Sequence, residues 1–233
     1  MQHKKNGLVL ALLVSTAATG TAQAALVART GGMVYDDVNK ITWAADANLF
    51  KTQAAGNTNL VSQIIHNIMS IGTHTLTNND FNANTGKMTW WGAQAWVNNL
   101  TLGGFTDWSL PGTPVVAYGG NLTSSQMGDL YYNQLGGKDY KDIATTNNGN
   151  YSLFTNVNRA SYWSGTEYTG YVNYAWKFDI GIGEQYHNPM SEMFYGLAVR
   201  AGDVAAVPLP GAIWLFLTGI IGVMGLKRRK NIS

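Results

Sequence analysis

The sequence predicts an α+β domain with two or three helices and an antiparallel sheet, held between two targeting ends. Three observations predict it. Apolar residues recur at helical spacing in two early segments, and polar and apolar residues alternate in the last third. Both termini place apolar runs beside basic residues.

The first element is a leader. Lys4 and Lys5 precede an apolar run from Leu8 to Ala18, and Ala22-Gln23-Ala24 offers the small residues that a signal peptidase cleaves. The run is shorter than the ~20 residues that a bilayer core requires, so a leader over 1–24 removed by signal peptidase is expected.

The mature chain opens with "GGMVYDDVNKITWAADANLF". Met33 to Tyr35 and Ile41 to Trp43 read as strands about a turn containing Asp36, Asp37 and Asn39. Two readings compete for Asp36, Asp37 and Asp46. One is a calcium cluster; the other is turn and cap carboxylates accepting from nearby backbone N–H groups. The second is adopted, so no metal ligand and no cofactor is assigned.

From Thr58 to Ile71, Leu60, Ile64, Ile68 and Ile71 recur at helical spacing, with Gly72 next. His66 falls on the polar side. With no third ligand at matching spacing, His66 and His74 are read as solvated. "HTLTNNDFNANTGK" reads as a polar loop or an insertion. Thr89 caps the second helix, where Trp90, Ala93, Val97 and Leu100 form a stripe and Gly103-Gly104 the stop. Pro111 and Gly112 predict a turn. A short helix from Ser125 to Leu135 follows, capped by Ser124 or Ser125 and stopped by Gly136-Gly137.

In "YAWKFDIGIGEQY", Trp176, Phe178 and Ile180 alternate with Lys177 and Asp179, and Gly181 to Gly183 makes a hairpin turn. "RASYWSGTEYT" is a further strand. "FYGLAVRAGD" is another, with Tyr195, Leu197 and Val199 on one face. The terminal strands are placed to pair.

The last element is a tail. Gly211 to Leu226 is a run of sixteen uncharged residues. As a helix it spans about 24 Å at ~1.5 Å per residue, against a hydrocarbon core of ~30 Å. Local thinning of the bilayer and snorkelling of Lys227, Arg228, Arg229 and Lys230 close that gap. The positive-inside rule keeps those four cations cytoplasmic, with the inner membrane a transient partner. Pro208 and Pro210 keep the strip before the span extended, open to a membrane-embedded protease.

Without the two ends, residues 25–206 suit one domain. Removing Lys4, Lys5 and the four tail cations from fifteen basic residues leaves nine against thirteen acidic ones, a net charge near −4. That balance removes the electrostatic argument for nucleic acid. No cysteine is present, so no disulfide staples the fold, and eight Trp, twelve Tyr and seven Phe must supply its core.

Val207-Pro208-Leu209-Pro210, the apolar stretch with "AIWLF" and the basic end resemble the PEP-CTERM sorting signal in its VPLP variant. The resemblance covers residues 207–233. It implies recognition by an exosortase, cleavage near the proline motif, and release or attachment at the surface of a Gram-negative bacterium, beside exopolysaccharide production.

"WWGAQAWVNNLTLGGFTDWSLP", "MGDLYYNQLG", "YWSGTEY", "AWKFDIGIGEQ" and "YGLAVRAGD" resemble the Lcl C-terminal-type domain, best over 88–203. Many members carry Arg where Ser109 stands and Cys before the final Val-Arg, and this chain carries neither. The resemblance implies a C-type-lectin-like fold with adjacent ends, and glycan or matrix adhesion.

A non-catalytic binding module is therefore the expected activity, with Tyr168, Tyr171 and Tyr174 in an aromatic stretch able to stack on sugars. Ordinary strand and loop packing is the plainer reading of those three. A structural matrix subunit is the alternative. An enzyme would need facing carboxylates, for which Glu167, Glu184 and Glu192 are the candidates. Serine-triad, phosphate-loop and HExxH motifs are absent from the sequence, so no catalytic residue is assigned.

Overall fold

Three short strands open the domain, and tight turns fix their order. β1 (Leu26–Arg29) pairs antiparallel with β2 (Met33–Asp36), and β2 with β3 (Ile41–Ala44). Gly31 and Gly32 make the first turn at φ +80° and +75°, which a side chain resists. The computed structural model describes residues 26–114 and 117–204. The leader with Ala22 and Ala24, and the tail from Val207 to Lys230 with its expected span at 211–226, lie outside the described residues. Among the described residues no helix is long and apolar enough to cross a membrane.

Helices follow. α1 (Leu49–Gly56) was not foreseen; α2 (Leu60–Ile68) was, over a longer span. α2 stops at Met69, whose φ of 61° turns the chain into β4 (Ser70–Ile71), paired with β5 (His74–Thr75). The segment expected to be a polar loop or insertion instead holds β5, a 3₁₀ turn at Asn78–Asp80, and a hairpin of β6 (Phe81–Asn82) and β7 (Lys87–Met88). α3 (Trp90–Asn98) starts where predicted, with the Thr89 hydroxyl accepting from Gly92 N–H. It ends before Gly103-Gly104, which serve a separate turn between Leu102 and Phe105. Pro111 and Gly112 form no turn: the chain there has no regular structure, and Gly112 N–H donates to Gln126 Oε1.

The helix expected from Ser125 to Leu135 is split. Ser125 caps α4 (Gln126–Asp129), and Leu130–Gln134 then winds as a π-helical turn. α5 (Ile143–Thr146) is capped by Asp142. The fold thus has five α-helices among the described residues, where two or three were expected; the extra ones are short and carry little apolar stripe. β8 (Ser161–Glu167), β9 (Tyr174–Asp179) and β10 (Glu184–Pro189) form an antiparallel sheet in the order β10-β9-β8. β11 (Val199–Ala201) returns to β3, completing a sheet in the order β1-β2-β3-β11. Tyr195, Leu197 and Val199 are all buried as expected, although regular strand is confined to Val199–Ala201.

Two cores flank the strands. Met33, Ala44, Trp163, Ala175 and Ala198 pack with the α2 and α3 side chains, whereas Val34, Trp43, Tyr162, Phe178 and Leu197 pack with Tyr131 and Leu130. Adjacent strand residues serve opposite cores, as period-2 geometry requires. With both faces covered, every residue of Ile41–Ala44 and of Ser161–Ser164 is buried, the polar Thr42, Ser161 and Ser164 included. Arg200 reaches back from β11 to Asp107 at 2.7 and 2.9 Å and lies 4.0 Å over the Phe105 ring. Ser109, where the resembled family carries Arg, donates its hydroxyl to Val199 O.

Candidate functional site

The β8-β9-β10 sheet presents an aromatic cluster at one end. Trp176 on β9 and His187 on β10 stand directly opposite each other. Tyr168 follows β8 and Tyr174 begins β9, and the Tyr168 N–H donates to Tyr174 O to close the loop between them. Gly170 is required in that loop, since a Cβ there would overlap the Tyr168 ring. Tyr118 arrives from a distant part of the chain. Gly119 and Gln185 exchange backbone hydrogen bonds at 2.9 Å, and the Gln185 amide donates to Ala117 O, which fixes Tyr118 beside β10.

His187 is the hub. Its ring stacks on Tyr168 at 3.9 Å and 11°, and it contacts Tyr118, Tyr171, Tyr174, Trp176 and Tyr186 at centroid distances of 5.2–5.9 Å. Burial pushes the His187 pKa down, so the imidazole is a neutral ring at neutral pH. The hydroxyls of Tyr118 and Tyr168 lie 2.7 Å apart and share a hydrogen bond. That bond, with burial second, pushes the Tyr168 phenol up to about 12.

Trp176 is fully buried beneath the cluster, whereas Tyr118, Tyr171 and Tyr186 are 50%, 61% and 45% exposed. The arrangement is a platform of uncharged rings with hydroxyl rims. Such rings supply large contact area with little rotamer entropy to lose.

Of the residues singled out in the sequence, Tyr168, Tyr171 and Tyr174 are brought together here. Tyr118, Tyr186 and His187 were missed. Tyr118 lies fifty residues before Tyr168, and no local pattern joins them; a Tyr-His pair on one strand was the only signal within β10.

The remaining candidates lie apart. Asp36 is buried and accepts from the backbone N–H groups of Val38 and Asn39; Asp46 accepts from Asn48 N–H and the Thr52 hydroxyl. Both act as turn and cap carboxylates, and Asp37 lies in the same turn as Asp36. His66 is exposed as expected. His74 is not simply solvated: it stacks on Trp91 at 4.0 Å, with Nε2 3.0 Å from Asp80. Among the described residues no group of three or more His, Cys, Asp or Glu gathers as a metal-ligand set.

Register separates two of the three glutamates. Glu184 faces Asp179 and, across it, Ser161, whereas Glu167 is level with Ala175 and Asn188. Four residues of strand, about 13 Å at ~3.3 Å each, divide them, beyond the ~5–9.5 Å of glycosidase pairs. Glu192 lies exposed in the turn after β10. No family model, curated protein or solved structure matches the chain.

Proposed function

We propose that this chain is an exported bacterial surface or matrix protein whose domain is a non-catalytic glycan-binding or adhesion module of C-type-lectin-like type. A leader ending at Ala24 and an exosortase-read tail at Val207-Pro208-Leu209-Pro210 deliver it, in company with exopolysaccharide or biofilm. One observation carries the binding reading: the His187-centred platform keeps Tyr118, Tyr171 and Tyr186 each at least 45% exposed. Rings held outward on a buried Trp offer flat apolar faces to sugar C–H groups, and phenol hydroxyls at their edges to sugar hydroxyls. Uncharged stacking fits a neutral or weakly charged glycan. The chain's sparse charge, 12% of residues, agrees with that.

The test is a glycan array followed by titration with the purified chain. Tyr171→Ala removes the most exposed ring and should weaken binding at least tenfold, about 1.4 kcal/mol. Unchanged affinity in that variant, or silence on every glycan beside self-association of the chain, would replace this reading with a structural matrix role.

A further inference from the structure

We propose that Tyr118 and Tyr168 form an oxidative cross-link site, a carbon–carbon dityrosine staple made within one chain by a peroxide-driven one-electron oxidant. This goes beyond glycan binding and does not depend on it. Three observations lead there. The two hydroxyl oxygens are in hydrogen-bond contact at 2.7 Å, with ring centroids 6.3 Å apart and planes at 59°. In a phenoxyl radical the unpaired electron is shared with the ortho carbons, each one bond from the hydroxyl-bearing carbon. Touching hydroxyls therefore bring the coupling positions within a modest ring rotation, and Tyr118, half exposed, has room to rotate.

Access comes through the cluster. Tyr171 is 61% exposed and its ring lies 5.7 Å from Tyr168. A radical formed at Tyr171 passes inward by exchange with the Tyr168 phenol, while Tyr118 meets the oxidant directly. The chain has no cysteine, so a disulfide cannot join these segments, and phenol coupling supplies the covalent tie instead. The tie would span fifty residues of sequence and lock Tyr118 onto the platform.

The chemistry balances. Each phenol loses one electron and its hydroxyl proton; the two radicals join at their ortho carbons. The displaced ring hydrogens return to the oxygens by tautomerisation, leaving two phenols and one new carbon–carbon bond. Hydrogen peroxide accepts the two electrons and two protons and leaves as two waters.

The experiment treats the full-length chain with a haem peroxidase and hydrogen peroxide, then reads dityrosine fluorescence and maps cross-linked peptides by mass. The expected product is a monomeric chain with a peptide joining the Tyr118 and Tyr168 segments, lighter by two hydrogens. Closing so long a loop should raise Tm by roughly 5 °C or more. Tyr118→Phe and Tyr168→Phe each keep the ring and should each abolish that peptide, with circular dichroism reporting that both fold. Tyr186→Phe should retain it. Two outcomes overturn the proposal: links that map to Tyr171 or Tyr186 between molecules, or no 118–168 peptide while exposed Tyr140 is oxidised.

Discussion

Asp80 is 3% exposed in a stretch whose composition is that of a solvated loop. Its carboxylate accepts from Thr77 N–H at 2.8 Å, from the Thr89 hydroxyl at 2.7 Å and from His74 at 3.0 Å. One side chain thus ties the 3₁₀ turn, the cap of α3 and the β5 histidine together. Burial alone would raise its pKa, but the Thr77, Thr89 and His74 hydrogen bonds outweigh it and hold the carboxyl below its ordinary value. Asp80→Ala should destabilise the domain by about 2–4 kcal/mol in urea unfolding, because Thr77 N–H and the Thr89 hydroxyl lose a buried acceptor. A depressed folded pKa stabilises above the unfolded value near ~4, and that contribution fades as pH falls through the folded value. The acid limb of a stability–pH curve should therefore flatten in the variant. An unchanged limb would mean that Asp80 titrates alike in the folded and unfolded chain.

At the scale of elements, α3 reverses the usual rule for glycine. Replacing a mid-helix Gly by Ala ordinarily stabilises by about 1 kcal/mol. Gly92, however, lies against the backbone of Asp80, where a Cβ would overlap the carbonyl oxygen. Gly92→Ala should instead cost roughly 2–3 kcal/mol in thermal or urea unfolding, since backbone on both sides must shift. The same element shows why the sequence was legible in part. Thr89 and the apolar stripe announced α3, and the period-2 pattern around Gly181–Gly183 announced the β9–β10 hairpin, because both signals are local. α1 buries only Phe50 and so carried no stripe to read. Asp80 reads as loop in sequence because its partners lie on three separate segments. Of the candidate site, Tyr168, Tyr171 and Tyr174 share one short stretch, whereas Tyr118 joins them through contacts between distant segments, the Gly119–Gln185 pairing among them.

For the whole molecule, β11 closes the sheet begun by β1–β3, and Arg29 at the end of β1 pairs with Asp203 at 2.8 Å. Val204, the last described residue, is 8% exposed and belongs to the core beside the helices. Two residues separate it from the Val207-Pro208-Leu209-Pro210 motif in sequence. If an exosortase reads that motif, three residue steps, at most about 10 Å of chain, link the folded domain to the strip the protease must grip. The fold and the sorting step then compete for the same few residues. Replacing Pro208 and Pro210 by Ala should leave an unprocessed, membrane-retained chain, visible as a larger band in the membrane fraction. Inserting a short Gly-Ser spacer after Ala206 should keep processing and quicken it, because the spacer frees the strip without touching the prolines. A spacer that blocks maturation would indicate that the protease reads the domain edge as well as the motif. Normal maturation of the double Ala variant would remove the prolines from recognition altogether.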